Sequence, residues 1–507
     1  MLPRPLRSIP LPGSFTLTED TALRPGPGTA PVAGLLRTLL APATGLPLPD
    51  SPDGAVLLVL DPAEHDALGP EGYRLTVLPD RVRLLAAEPA GLRHAVQSLR
   101  QLLPAEALGD RPAPGTAWTL PGVDLLDRPR HAWRGLMVDT ARHFQPLDRL
   151  LRTVDRIALH KLNVLHLHLT DDQGWRLPVD AYPRLTTVGA VRDRTRLGPA
   201  EDGTWDERPH GGAYTKAELR LLVRHAAERG VTVLPEIEMP GHVGAALAAY
   251  PHLGVGSARP DGVWTDWGVS ERVLGTHEPV LDFFRTVLDE TMELFPSPYV
   301  HLGGDECPTV QWEEDPDSRS RAAALGLPSA RRLRTWFLGR MGEHLLAAGR
   351  RPICWAEEEA GTLPTEFTLM AWRDAGHGLT AARRGHPVVM APHRTTYLDY
   401  PQTDRHGEPP GQAGAVVDLP AVWSTDPAPA DWPAEEAGRV LGTQAQLWTE
   451  YVTTGGHYDR LLWPRLCALA DRAWNPTGEY RRDFLPALAA HRPRLAALGV
   501  TTPGPGA

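Results

Sequence analysis

Residues 299–306, Tyr-Val-His-Leu-Gly-Gly-Asp-Glu, end a short apolar run in two adjacent carboxylates, Asp305 and Glu306. Tyr299, Val300 and Leu302 read as a buried strand, and Gly303-Gly304 let the backbone pass close to another surface. Neighbouring acids repel unless their roles divide. One stays ionised while the other keeps a raised pKa and can give up a proton. An isolated Asp-Glu pair reads as well, or better, as a solvated acidic turn capping a helix. What favours chemistry is that the same design recurs along the chain.

Eight candidate strands fall at 133–140, 162–170, 231–238, 299–304, 351–356, 367–372, 386–391 and 441–448. The first ends in Asp139 and Arg142-His143, the second in His166-Leu-His168-Leu-Thr-Asp171-Asp172. The third ends in Glu236-Ile-Glu238-Met-Pro-Gly-His242 and the fourth in the acid pair. Later ends supply Trp355-Ala-Glu357, Trp372-Arg-Asp374, Tyr397-Leu-Asp399 and Trp448-Thr-Glu450. Amphipathic helices are predicted at 147–161, at 216–229 with a stop at Gly230, and at 329–348 with Ser329 as N-cap and Gly349 as stop. Strand-then-helix alternation on this scale predicts a (β/α)8 TIM barrel of the α/β class. In that fold the loops after the strands converge on one mouth.

Ahead of it, 54–61 reads as a strand, 73–78 and 82–85 as a hairpin, and 89–103 as an amphipathic helix. The expected organisation is a small non-catalytic α+β domain over 1–128 and a catalytic barrel over 129–507. Proline (52) and glycine (48) gather at 22–31, 108–122 and 401–434, which read as loops or linkers. The net charge of −10, with no basic block, argues against a nucleic-acid partner. Three cysteines make neither a disulfide framework nor a CxxC metal site, and Cys307 among acids reads as a passenger. No apolar run reaches the roughly 18 residues of a membrane span, and residues 1–14 lack a signal-peptide core. The expectation is a cytoplasmic protein with no membrane partner. The small domain could support a homodimer.

In sequence order these segments resemble the family 20 glycoside hydrolases, the β-N-acetylhexosaminidases. The resemblance rests on Arg142-His-Phe, His166-Leu-His-Leu-Thr-Asp-Asp-Gln-Gly-Trp175, Pro235-Glu-Ile-Glu-Met-Pro-Gly-His242, His301-Leu-Gly-Gly-Asp-Glu306 and Leu447-Trp-Thr-Glu450. Residues 71–103 are similar to that family's small domain. The resemblance implies release of terminal β-linked GlcNAc or GalNAc from an oligosaccharide, with retention, no cofactor and no metal. It also implies a substrate-assisted route, in which the 2-acetamido oxygen attacks C1 and forms an oxazolinium ion. Carried over by position, Glu306 is the acid and then the base, Asp305 orients the acetamido N–H, and Tyr397 holds the acetamido oxygen. Asp171 and His242 form a chain toward Glu306. Trp355, Trp372 and Trp448 cage the acetamido group, Arg142 and Glu450 grip the 3- and 4-hydroxyls, and Asp399 reaches the 6-hydroxyl or the leaving sugar. Asp172 reads as a loop cap, Glu236 and Glu238 as scaffold, and Trp423 is left out of the site although it could line the mouth.

Three other readings compete. His166-x-His168 on an early barrel strand could start the metal site of an amidohydrolase-type enzyme, although no later strand end supplies a matching His pair. An inactive sugar-binding protein on the same fold would be expected to lack the acid, which is present. A retaining glycosidase with its own nucleophile would use Glu357 or Glu450.

Overall fold

The computed structural model describes residues 1–198, 203–256, 261–357, 362–475 and 477–500. Part of the 191–213 loop therefore lies outside the described residues. Alternating burial decides the first sheet. In β4 (Tyr73–Leu78) and β5 (Arg81–Ala86), Tyr73, Leu75, Val77, Val82, Leu84 and Ala86 face inward. They pair as the predicted antiparallel hairpin. Their inner face packs on α1 (Ala30–Thr44) and α2 (Pro89–Leu102) through Val32, Leu36, Leu92, Val96 and Leu99.

The sheet is larger than the sequence suggests. With β1 (Arg7–Leu17), β2 (Leu23–Pro25), β3 (Val56–Leu60) and β6 (Trp118–Asp127) it has six strands in the order β1-β6-β4-β5-β3-β2. The proline-rich stretches at 22–31 and 108–122, read as loops, thus contribute β2, the start of α1 and the first residues of β6. Prolines are tolerated because the β1–β6 ladder is interrupted between Pro10 and Ser14, opposite Pro121. Gly122 sits at that bulge, where a Cβ would lie 2.5 Å from the Leu11 carbonyl oxygen.

The barrel strands are β7 (Trp133–Asp139), β8 (Val164–His168), β9 (Thr232–Glu236), β10 (Tyr299–His301), β11 (Arg351–Trp355), β12 (Thr368–Ala371), β13 (Val388–Met390) and β14 (Val440–Leu447). They close in the order β9-β10-β11-β12-β13-β14-β7-β8, and every pairing is parallel. The fold is the expected (β/α)8 barrel behind an α+β domain. Nearly all the strands are shorter than predicted, chiefly at their C-terminal ends, because the polar residues there leave the ladder to form the mouth. Between strands and outer helices lies a continuous apolar layer. It includes α3 (Leu147–Leu159), α4 (Lys216–Glu228), α5 (Glu278–Leu294) and α6 (Leu333–Ala347). Ser329 does not cap α6. Its side chain accepts no cap hydrogen bond, and a 3-10 turn at Ala330–Arg332 leads into the helix. Among the described residues no helix is long and apolar enough to cross a membrane.

A buried polar knot joins the two units. Asp127, at the end of β6, accepts hydrogen bonds from Lys161 Nζ (2.6 Å) and Tyr73 Oη (2.7 Å). Its other oxygen accepts from Trp474 Nε1 (2.8 Å), carried by α7 (Arg465–Trp474). Lys161 and Asp127 are both fully buried. Removing one partner strands the other charge in apolar surroundings, so Lys161→Met should destabilise the protein by about 3–5 kcal/mol in urea unfolding. A loss under 1 kcal/mol would mean that water reaches the pair.

Candidate active site

The turn after β10 shows why this sequence has two glycines. Gly303 and Gly304 both lie in the left-handed region (φ 61° and 86°). A Cβ on Gly303 would sit 1.8 Å from the Glu238 carboxylate, and one on Gly304 2.7 Å from Leu338. The chain thus passes directly over a buried acid before presenting Asp305 and Glu306. Glu306 (φ 43°) and His242 (φ 52°) are themselves left-handed, an uncommon conformation for residues with a Cβ.

His242 ties the acids to the second strand's loop. Its Nδ1 lies 3.2 Å from Asp171 and 3.2 Å from Asp172, and its Nε2 lies 3.7 Å from Glu306 and 3.9 Å from Asp305. Asp172, read as a loop cap, accepts instead from the Gly244 backbone N–H (2.8 Å) at the start of the short helix Gly244–Ala249, and flanks His242 as well. That second contact was not legible in the sequence. Burial disfavours charge on His242, yet Asp171, Asp172 and Glu306 hold its pKa well above the usual value.

The acids differ in environment. The Asp305 side chain is 13% exposed and that of Glu306 is 39% exposed. Burial, reinforced by the charge of Glu306, pushes Asp305 up to about 6. The positive charge of His242 beside it holds Glu306 below the ordinary carboxylate range. The more tightly held proton is therefore on Asp305. The sequence reading expects the donor Glu306 to carry the raised pKa. The imidazolium at its side reverses the order.

Aromatic residues wall the mouth. The Trp355 and Trp448 rings lie 6.1 Å apart, Trp372 stacks along Tyr397 at 6.3 Å, and Tyr397 meets Trp448 at 6.2 Å. Each indole is held. Trp355 donates to Glu236 (2.8 Å), Trp372 donates to Glu357 (3.2 Å), and Arg142 lies over the Trp448 ring. Trp423 is elsewhere, packed against Tyr480 and Phe484 in the helical layer. Burial keeps the Tyr397 phenol neutral, so it remains a hydrogen-bond donor.

Arg142 is buried and reaches Asp171 (2.9 Å), Asp139 (3.5 Å) and Gln173 (2.9 Å). Glu450 accepts from Gln412 (3.1 Å), and burial raises its pKa. Asp399 is 3% exposed and neither of its oxygens has a hydrogen-bond partner. Burial and the neighbouring Glu450 raise its pKa strongly. An unsatisfied buried acceptor of this kind fits a hydroxyl-bearing ligand. Glu357 is engaged by Trp372 and by Arg373 (3.1 Å).

Inside the barrel, His166 and His168 share a partner. Glu236 lies 3.1 Å from His166 Nε2, 2.6 Å from His168 Nδ1 and 2.7 Å from His301 Nδ1. The convergence of His301 with His166 is invisible in sequence, where it belongs to another motif. Glu236 accepts a hydrogen bond from His168, whereas His301 Nδ1 accepts from the Gly303 backbone N–H (3.0 Å) and His166 Nδ1 accepts from Gln444 Nε2 (3.0 Å), so the Nδ1 lone pairs of His301 and His166 are already engaged. Burial pushes the Cys307 thiol up to about 12, which leaves it without nucleophilic character.

The profile described as "Glycosyl hydrolase family 20, catalytic domain" matches residues 131–477, and "Glycosyl hydrolase family 20, domain 2" matches 1–128. A beta-hexosaminidase of Porphyromonas gingivalis is 36% identical over 94% of this chain, which spans 61% of that protein. One of Akkermansia muciniphila is 37% identical, with 86% of each chain covered. The crystal structure of a GH20 exo-β-N-acetylglucosaminidase of Vibrio harveyi with N-acetylglucosamine superposes with a TM-score of 0.88 at 30% identity, covering 100% of this chain and 78% of that one.

Proposed function

Because the chain belongs to glycosyl hydrolase family 20, we propose that it releases terminal β-linked N-acetylhexosamine from oligosaccharides by a retaining, substrate-assisted mechanism. The observation that carries this reading is the placement of Asp305 and Glu306 side by side on His242, facing an aromatic cage. Of the two other candidate nucleophiles, Glu357 is bound by Trp372 and Arg373, and Glu450 lies beside Gln412 at the edge where the sugar's hydroxyls would sit.

In the first step the acetamido oxygen of the substrate forms a bond to C1. The C1–O bond to the leaving sugar breaks, its electron pair goes to the leaving oxygen, and that oxygen takes the Glu306 proton. Asp305 accepts the acetamido N–H and balances the positive charge that develops there. Tyr397 donates to the acetamido oxygen and keeps it in line with C1. Trp355, Trp372 and Trp448 exclude water from the acetamido group. In the second step a water molecule gives its proton to Glu306 and bonds to C1, which opens the oxazolinium ring. An aligned internal nucleophile can supply about 7–11 kcal/mol of the barrier reduction. Arg142, Glu450 and Asp399 hold the terminal sugar's hydroxyls.

Hydrolysis of p-nitrophenyl β-N-acetylglucosaminide beside the plain β-glucoside, with a thiazoline analogue as inhibitor, tests the proposal. Cleavage of the acetamido sugar alone, with tight thiazoline inhibition, is the expected result. Cleavage of both sugars without inhibition would place a nucleophile on the protein.

The acids also set a pH profile. The productive form has Asp305 ionised and Glu306 protonated, so the pair holds one proton. Above about pH 6, where Asp305 titrates, that proton is lost and no acid remains. Below the depressed value of Glu306 a second proton binds and neutralises Asp305. For a poor leaving group, kcat/KM should therefore peak on the acid side of 6 and fall above it. A plateau extending through neutral pH would show that the two carboxyls do not share the proton.

A further inference from the structure

We propose that His168 is a permanently charged positioning residue, an imidazolium clamped between Asp171 and Glu236 that governs Asp171 and, through it, the His242–Glu306 proton pair. The consequence for Glu306 rests on the functional reading above. The charge state of His168 does not.

Counting protons carries the argument. His168 Nδ1 lies 2.6 Å from Glu236 Oε2, and His168 Nε2 lies 2.7 Å from Asp171 Oδ2. An ionised carboxylate only accepts hydrogen bonds, so a nitrogen at this distance must bring a proton. Both carboxylates are held ionised by other donors. Glu236 accepts from Trp355 Nε1 (2.8 Å), while Asp171 pairs with Arg142 (2.9 Å) and faces His242 (3.2 Å). Each ring nitrogen of His168 therefore carries a proton, and the ring is a cation. His166 differs. Its Nδ1 accepts from Gln444 Nε2 (3.0 Å), which leaves a single proton on Nε2, 3.1 Å from Glu236, and burial keeps the ring neutral.

The groups facing His168 agree. Asp171 and Arg142 lie on its Nε2 side. Glu236 lies on its Nδ1 side with Glu238 beyond at 3.9 Å, and His166 and His301 share Glu236. The edge of the ring meets Trp448 at 4.9 Å. Burial opposes the charge, yet Glu236 and Asp171 together raise the group to about 10. One buried cation therefore links the carboxylate behind His242 to the carboxylate that holds Trp355, and it touches a second wall of the cage. Without it, Asp171 and Glu236 would be under-compensated, and the field at Asp305 and Glu306 would become more negative.

The direct test is 15N–1H NMR of the intact protein labelled at histidine, at about pH 8, where an ordinary histidine is neutral. One doubly protonated imidazole signal should vanish in His168→Gln and survive in His242→Gln. Absence of such a signal overturns the proposal, whatever the enzyme hydrolyses. The kinetic test compares His168→Gln with His166→Gln. Both remove a contact with Glu236, but only the first removes a charge. His168→Gln should move the alkaline limb of kcat/KM upward by about 0.5–1 pH unit, and His166→Gln should leave it in place. Equal shifts, or none in either, would reduce His168 to a packing role. If His168→Gln does not fold, His168→Gln/Glu236→Gln removes both members of the pair and supplies the protein for the NMR experiment. The signal must then be absent from the double variant, and its persistence would assign it to another histidine.

Discussion

Glu306→Gln should lower turnover of a poorly activated β-N-acetylhexosaminide by about 10²–10⁴-fold, while a substrate with a good leaving group, such as a p-nitrophenyl glycoside, loses much less in the bond-breaking step. The difference follows from what the side chain supplies. A leaving alkoxide needs a proton as the C1–O bond breaks, and a phenolate with a low pKa does not. Glutamine keeps the shape and the contact with His242 but cannot donate that proton. The comparison to make is a Brønsted series of aryl leaving groups on the wild type and the variant. A steeper dependence on leaving-group pKa in the variant is expected, and parallel lines would remove Glu306 from the acid role.

Asp305→Asn should cost about 3 kcal/mol or more of transition-state stabilisation, a loss of 10²–10³-fold in kcat/KM. In the proposed mechanism Asp305 faces the charge that develops on the acetamido nitrogen, and its burial strengthens that interaction relative to water. Asparagine also presents an N–H where an acceptor is required. Affinity for a thiazoline, which resembles the cyclic intermediate, should fall in proportion to kcat/KM, while affinity for the N-acetylglucosamine product falls less. Near-normal kinetics, or equal losses for both ligands, would mean that Asp305 does not contact the reacting group.

Parts of this molecule can be read without coordinates. A buried parallel strand is a short apolar run, and its polar terminus announces itself, so all eight barrel strands appear in the chain. For the same reason Asp171, His242, Asp305, Glu306, Trp355, Trp448 and Glu450 can be placed at or just beyond strand ends from the sequence, while the roles proposed for them come from the family resemblance. The small domain is harder, because β1 and β6 carry prolines and a glycine at an interrupted ladder and resemble loops. The charge order of Asp305 and Glu306 is not legible either. It depends on His242, which comes from another strand and lies under 4 Å away only after folding. The carboxylate of Glu236 offers a similar lesson. Its three histidine partners come from β8 and β10, and no spacing rule joins them.

The knot of Lys161, Asp127, Tyr73 and Trp474 bears on how such enzymes can be divided and recombined. A chain severed between β6 and β7 would leave the Lys161 ammonium facing an apolar scar, and the Trp474 indole would lose the acceptor of its N–H. The helix that carries Trp474 also follows the strand whose end supplies Trp448 and Glu450. A barrel grafted into another protein, or expressed alone, would thus lose support beneath the last wall of its own mouth. In this chain the small domain completes the barrel's floor through Asp127 and Tyr73.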